Sequence, residues 1–158
     1  MREILFRGKR LDNGDWVEGY LYEHEPPLVG IVSEKDEPEE SKWFIARTGF
    51  ADWNMQRPVE LVEVDPSTVG QYTGLKDKNG ERIFEGDIVQ YHERQFDDKD
   101  VPVRDAVIYE EGGFSVIAYF LNNWLWNSIN GNTQLRDVEI IGNIHDKPEL
   151  LKEGADNG

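Results

Sequence analysis

The chain has 158 residues, 38% of them hydrophobic and 31% charged, which is the composition of a globular protein large enough to bury a core. It has no cysteine, which excludes disulfides, thiol nucleophiles and cysteine-based zinc sites. Its 32 acidic and 17 basic residues give a formal net charge of −15, so binding to nucleic acid through phosphate contacts is disfavoured. No apolar run approaches the roughly 18 residues of a membrane helix. We therefore expect a soluble, cytoplasmic protein without a signal sequence or a membrane segment.

One group of basic residues departs from this acidic background: Arg2, Arg7, Lys9 and Arg10. Two interpretations of this group stay open. The side chains can be the solvated border of the first strand, because lysine and arginine often protect sheet edges. They can also form a local patch that attracts phosphate in spite of the net charge.

Alternation of apolar and polar residues predicts a strand over 16–22. One face of it carries Trp16, Glu18, Tyr20 and Tyr22, and the other carries Val17, Gly19 and Leu21. A period of two is typical of a sheet with one packed side. The turn signal Asp12-Asn13-Gly14-Asp15 precedes it and predicts a hairpin.

Other segments of the first half of the chain read as short strands around a charged loop. The loop at 34–40 offers no apolar surface to offset the entropy of ordering, so we expect it to be disordered. Asp65-Pro66 predicts one helical turn that ends at Gly70, with aspartate as the N-cap. The predicted strands are 3–6, 28–33, 42–46 and 59–64.

The densest run of turn signals lies between Gly70 and Val89. Asn79-Gly80 predicts a type I′ hairpin turn, because both central residues of that turn need a positive φ. Gly86 separates two apolar pairs, Ile83-Phe84 and Ile88-Val89, and predicts a bend or bulge.

This central stretch resembles the signature of the YopX family of small phage and prophage proteins. The resemblance covers 71–80 and 83–89, and the opening residues 2–8 and the closing segment 138–150 are similar to the two ends of the family. It implies a phage or prophage origin and a β-rich fold, and it brings no activity or catalytic residue to this chain. The signature residues, which we interpret as structural, are Gln71, Tyr72, Gly74, Asn79, Gly80, Gly86 and Asp87.

The second half of the chain continues the β pattern. Gly112-Gly113 and Asn130-Gly131 predict turns, 93–102 predicts a polar loop, and 120–129 is the one place where a helix competes, against its Asn-rich composition. The predicted strands are 87–92, 104–109, 114–119 and 137–144. This order resembles a small, curved SH3-like barrel.

The predicted fold is therefore mainly β, with two packed β units and only short helical turns. The N-terminal unit, 1–75, is a meander, and the C-terminal unit, 76–146, is the barrel-like one. Residues 147–158 form a terminal turn and a frayed tail. A single continuous domain is the alternative.

No residue spacing indicates catalysis, a cofactor or a metal. His24, His92 and His145 do not have the spacing of metal ligands. An EF-hand would need acidic residues where Leu75 and Gly86 stand. A nucleophile elbow and a phosphate-binding loop are absent, so we expect no enzyme. A pair of carboxylates for acid–base chemistry stays open, because such a pair depends on spatial geometry.

The candidate interaction surface comes from a dense group of aromatic residues: Tyr119, Phe120, Trp124 and Trp126. These residues can pack in the core, or they can form an exposed platform for a protein partner. We expect a non-catalytic protein-interaction or self-assembling module that binds a host or phage protein or copies of itself. The alternative is a role linked to nucleic acid, either as an acidic DNA mimic or through the N-terminal basic patch.

Overall fold

The computed structural model describes residues 3–25, 41–48, 59–94, 100–110, 113–117, 126–128 and 136–151. These residues form two antiparallel sheets and two short 3-10 turns, and none of them lies in an α-helix. This confirms the predicted mainly β fold. The strands of the described segments are β1 (Phe6–Lys9), β2 (Trp16–His24), β3 (Lys42–Thr48), β4 (Val59–Val64), β5 (Gly70–Lys76), β6 (Arg82–Phe84), β7 (Asp87–Arg94), β8 (Asp100–Glu110), β9 (Gly113–Ile117), β10 (Trp126–Ser128) and β11 (Arg136–Asn143).

The chain divides into two compact units, Ile4–Gly70 and Met1–Glu3 with Gln71–Gly158. Each unit has its own apolar core. The first core contains Val17, Ile45, Val62 and Val64. The second contains Ile83, Val89, Tyr91, Val107, Phe114 and Val116. The division into 1–75, 76–146 and 147–158, and the alternative of one continuous domain, stay predictions.

In the Ile4–Gly70 unit the strands are hydrogen-bonded in the order β4-β3-β2-β1. Strand β2 is long because it serves two partners: Trp16 to Gly19 pair with β1, and Tyr20 to His24 pair with β3. The alternation predicted for 16–22 is confirmed, since Val17 is buried in the core whereas Tyr20 on the other face is exposed.

The hairpin between β1 and β2 is confirmed at the predicted place. The Arg10 amide donates to the Asp15 carbonyl at 2.9 Å, and the Gly14 amide donates to the Arg10 carbonyl at 2.9 Å. This loop sets Lys9 opposite Trp16, which places β1 at Phe6–Lys9. The prediction of the first strand at 3–6 is therefore wrong by three residues.

The helical turn predicted after Asp65 is confirmed as the 3-10 turn Pro66–Thr68. The Asp65 carboxylate caps it by accepting a hydrogen bond from the Ser67 amide at 2.9 Å. The Thr68 hydroxyl oxygen in turn accepts a hydrogen bond from the Lys9 amide at 2.9 Å. The turn thus ties the end of β4 to β1.

The second unit contains the β5–β6 hairpin and a five-stranded sheet in the order β10-β9-β8-β7-β11. Directly opposite residues share a face, so the registers Val89–Asp105 and Val107–Val116 put these four side chains on one side. This side of the sheet faces the second core, to which the three valines belong. Closure of this unit into an SH3-like barrel stays a prediction.

One prediction in this unit is wrong, and one alternative is settled for the described residues. The polar loop expected at 93–102 is too long, because Arg94 pairs with Asp100 and β8 therefore already includes Pro102. In the segment expected to be a loop, cross-strand pairing outweighs the polar local composition. At 120–129 the Asn-rich composition argues against a helix, and for Trp126–Ser128 this is confirmed, because these residues form β10 against β9. The predicted strand 28–33, the charged loop 34–40 and the turn at Asn130-Gly131 lie outside the described residues.

The central hairpin has a different turn from the predicted one. The Gly80 amide donates to the Asp77 carbonyl at 3.0 Å, and the Asp77 amide donates to the Glu81 carbonyl at 2.8 Å. This pattern encloses a three-residue loop, Lys78 to Gly80, in which a tight turn is followed by a glycine with a φ of +86°. The type I′ prediction is wrong because the loop has one residue more than that turn allows.

We expect Gly80→Val to lower the free energy of unfolding by about 2 kcal/mol, because a β-branched residue is disfavoured at this φ. A Cβ at Gly80 would meet nothing within 4 Å, so backbone conformation alone causes the loss. Urea unfolding measures it. The control Gly80→Asn should lose less than half as much, because asparagine tolerates a positive φ. Equal losses in the two variants would contradict this explanation.

Candidate functional site

The signature residues of the central stretch hold backbone geometry. Gly74, Gly80 and Gly86 have φ angles of +88°, +86° and +83°. The Gln71 carbonyl accepts a hydrogen bond from the Glu85 amide at 2.9 Å. Tyr72 is buried, with its ring 5.5 Å from the ring of Phe84.

Asp77 organises the loop in which Asn79 lies. Its Oδ1 atom accepts hydrogen bonds from the amides of Asn79 at 2.8 Å and Glu81 at 2.9 Å, and its Oδ2 atom accepts one from the Ile140 amide at 3.2 Å. Burial raises the pKa of the Asp77 carboxyl, but the hydrogen bonds from Glu81, Ile140 and Asn79 together hold that pKa below its ordinary value. Both oxygens of the Asp77 carboxylate thus accept hydrogen bonds from backbone amides, and the carboxylate stabilises the loop.

Asp87, the last signature residue, has the same kind of role. It is only 1% exposed, and its Oδ2 atom accepts a hydrogen bond from the Phe84 amide at 2.8 Å. Its Oδ1 atom accepts one from Asn143 Nδ2 at 3.3 Å, and Asn143 Oδ1 accepts one from the His145 amide at 2.9 Å. This chain of bonds joins the β6–β7 turn to the segment that follows β11.

The predicted interaction surface lies almost wholly outside the described residues. Tyr119, Phe120 and Trp124 are in that undescribed part. The backbone of Trp126 lies in β10, opposite Ile117. The proposal of an aromatic platform at 119–126 therefore stays a prediction.

A different aromatic surface lies on the first unit, on the side of the sheet that faces away from the core. The registers of β1 to β4 put one set of alternating residues on this side. We call it the aromatic face, and its residues are Arg7, Lys9, Trp16, Glu18, Tyr20, Tyr22, His24, Lys42, Phe44, Ala46, Thr48, Val59, Leu61 and Glu63.

The centre of the aromatic face is apolar and open to solvent. Tyr20, Tyr22 and Leu61 are 63%, 47% and 52% exposed. Tyr20, Ala46 and Leu61 lie side by side across three strands, and Tyr22 and Phe44 form the next row, with their rings 6.2 Å apart. Large apolar side chains grouped in this way on a sheet surface are typical of binding sites.

Basic residues border the aromatic face at β1. The Arg7 guanidinium lies 4.7 Å from the centre of the Trp16 ring, and the Lys9 ammonium lies 5.5 Å from it. Arg10 is not part of this border, because its guanidinium binds the Asp12 carboxylate at 2.6 Å. The N-terminal basic group is thus divided, and Arg2 lies outside the described residues.

Comparisons with known proteins decide the family. The model of the family described as YopX protein matches residues 6–152. This chain belongs to the YopX family. The crystal structure of protein EF1440 from Enterococcus faecalis has 24% sequence identity to the chain, covers 96% of it and 99% of its own chain, and has a TM-score of 0.49. A comparison with curated proteins gives no match.

One carboxyl group in the YopX chain has an unusual environment. Asp105 lies opposite Val89 on the core side of the second sheet, between Val103 and Val107 along β8. Its Oδ1 atom accepts a hydrogen bond from the Ala106 amide at 2.8 Å, and its Oδ2 atom is buried without a hydrogen-bond partner. Burial raises the pKa of this carboxyl to about 7, against the opposing effect of the Ala106 amide.

No group of three or more histidine, aspartate or glutamate side chains is arranged to hold a metal ion within the described segments. Neither 3-10 turn in those segments has the length and apolar character needed to cross a bilayer. At the edge of the aromatic face, Nδ1 of His24 lies 3.5 Å from the hydroxyl oxygen of Tyr22.

Only part of the aromatic face could be predicted from the sequence. The strand 16–22 predicted the side on which Trp16, Tyr20 and Tyr22 lie, but Phe44 and Leu61 were missed. In β4 both sides are apolar, with Val59 and Leu61 on one and Val62 and Val64 on the other. Alternation alone cannot say which side is buried, whereas pairing with β3 can.

Proposed function

We propose that this YopX-family protein is a non-catalytic protein-interaction module whose binding surface is the aromatic face. The single observation that supports the proposal most is the exposure of Tyr20, Tyr22 and Leu61 beside one another on a sheet. Tyrosine and tryptophan are enriched among the residues that contribute most binding energy in protein interfaces. An apolar centre with a charged border is the usual anatomy of such an interface.

A non-catalytic role is supported by the buried carboxylates. The oxygens of Asp77 and Asp87 are occupied by backbone and amide donors, which is the arrangement of structural acids. The acid–base pair that the sequence leaves open would need a second titratable group within hydrogen-bond reach of the first. Asp105 has the Ala106 amide as its hydrogen-bond donor instead.

A nucleic-acid-linked role is the second candidate, because Arg7 and Lys9 accompany aromatic side chains on the same face. A formal net charge of −15 weighs against it, because most of the surface repels phosphate. We propose, with the resemblance to phage and prophage proteins, that the chain acts in the cytoplasm of a host cell and binds a host or phage protein or its own copies.

Quantitative affinity capture tests this function. The wild-type chain, the double variant Tyr20→Ser/Tyr22→Ser and the control Tyr109→Ser should be used as tagged baits, because Tyr109 is 51% exposed but lies in the other unit. We expect a stoichiometric protein partner, which can be an untagged copy of the chain, to be lost only from the double variant. Recovery of the same proteins by all three baits, or of nucleic acid alone, would contradict the proposal.

A further inference from the structure

We propose that the partner of the aromatic face is the aromatic face of a second copy of this chain, bound as a two-fold symmetric pair of sheets. This inference rests on the proposed function and names its partner. In such a contact the same surface serves both copies, so the surface must complement itself in apolar area, charge and shape.

Charge selects this face for contact between copies. The chain carries a formal charge of −15, so two copies repel each other over most of their surfaces. The aromatic face carries three basic residues, Arg7, Lys9 and Lys42, against two acidic ones, Glu18 and Glu63. Its formal charge is therefore only +1, so contact through this face brings little like charge together compared with the acidic rest of the surface.

The distribution of these charges fits a two-fold contact. Arg7 and Lys9 lie on β1 at one corner of this group of residues, with Glu18 opposite Arg7, and their excess charge there is positive. Glu63 lies on β4 at the diagonally opposite corner, with Lys42 one row away on β3. Sheets pack face to face with their strands either nearly aligned or nearly perpendicular. In the perpendicular packing, a two-fold axis along the other diagonal of the face puts the basic corner of each copy on the acidic corner of its partner.

The area of the face is adequate for a dimer. The face spans four strands and five rows of residues. Neighbouring strands lie ~4.8 Å apart and neighbouring residues on the same side of a strand ~6.8 Å apart, so the face projects an area on the order of 500 Å² on the plane of the sheet. A standard stable interface buries ~800 Å² per partner, and side chains that stand out from the sheet add accessible area to this plan area. Large and small side chains alternate at the centre, with Tyr20 beside Ala46, which allows two such faces to interdigitate.

Sedimentation equilibrium of the full chain tests the inference. We expect a concentration-dependent dimer whose Kd rises at least tenfold in Tyr20→Ser and in Lys9→Glu. Lys9→Glu/Glu63→Lys should restore most of the wild-type affinity, since positions 9 and 63 have exchanged charge and again attract each other across the contact, and a misfolded variant could not be rescued in this way. The control Tyr109→Ser should dimerise like the wild type.

Two results would overturn the inference. One is a chain that stays monomeric at all concentrations, and the other is a dimer that none of these substitutions at the aromatic face weakens. If the chain is monomeric but Tyr20→Ser/Tyr22→Ser still loses a captured protein of another sequence, the second copy is the wrong partner and the proposed function stands. If the monomeric chain also keeps its captured proteins after that substitution, both are wrong.

Discussion

Gly19→Ala is expected to lower the free energy of unfolding by roughly 3 kcal/mol, since overpacking of a well-ordered interior costs of this order. Gly19 lies where β2 changes its partner from β1 to β3. A Cβ built there would be 2.3 Å from the Ala46 carbonyl oxygen and 2.8 Å from Cγ2 of Ile45. The oxygen is backbone, so strands β2 and β3 must separate to admit one methyl group.

Urea unfolding with fitted midpoints and slopes measures this loss. The matched control is Gly14→Ala, because Gly14 has a φ of +76° but nothing within 4 Å of an added Cβ. Its loss should stay near 1 kcal/mol, the cost of a disfavoured backbone conformation. If the two variants lose the same free energy of unfolding, the explanation that β2 and β3 approach too closely at Gly19 to admit a methyl group is wrong.

Asp105→Asn is expected to raise stability at pH 8 by roughly 2 kcal/mol. Burial raises the pKa of Asp105 to about 7 in the folded chain, whereas an unfolded aspartate titrates near pH ~3.9. The stability contributed by the protonated form is thus fully present below pH ~4 and is lost as the pH rises to about 7. The full shift corresponds to about 4 kcal/mol, and partial exposure of the side chain reduces the effect to about half of that.

Unfolding free energies from pH 4 to pH 8 test this prediction. The wild type should lose stability over this range, and Asp105→Asn should lose much less, because an amide does not ionise. Self-repulsion in an acidic chain also grows with pH, so the control Asp12→Asn is needed. The hydrogen bond from Arg10 holds the pKa of exposed Asp12 below its ordinary value, so this control should keep the wild-type slope. Parallel curves for Asp105→Asn and the wild type would contradict the prediction.

Local signals in the sequence predicted the parts of the fold that depend on neighbouring residues. The alternation of 16–22, the cap at Asp65 and the bend at Gly86 are all present, because backbone geometry and nearby polar groups decide them. The loop at Asn79-Gly80 was located correctly but with the wrong turn. There Asp77 decides the geometry by holding the amides of Asn79 and Glu81.

Features that depend on distant pairing could not be predicted. Asp105 reads as an ordinary polar residue of a strand, and only its pairing with Val89 places it on the core side of the sheet. The aromatic face is a similar case, because Phe44 and Leu61 join Tyr20 and Tyr22 through the registers of β2, β3 and β4. Clustering along the sequence instead directed attention to 119–126, whose role stays a prediction.

Site-specific photo-crosslinking tests the claim that the aromatic face binds protein most directly. A photoreactive phenylalanine analogue should replace Tyr20 in one chain and Tyr109 in another, because both side chains are exposed. We expect illumination in cells to give a discrete crosslinked protein product from position 20 and none from position 109. Crosslinks from position 109 alone, or from neither position, would contradict the claim.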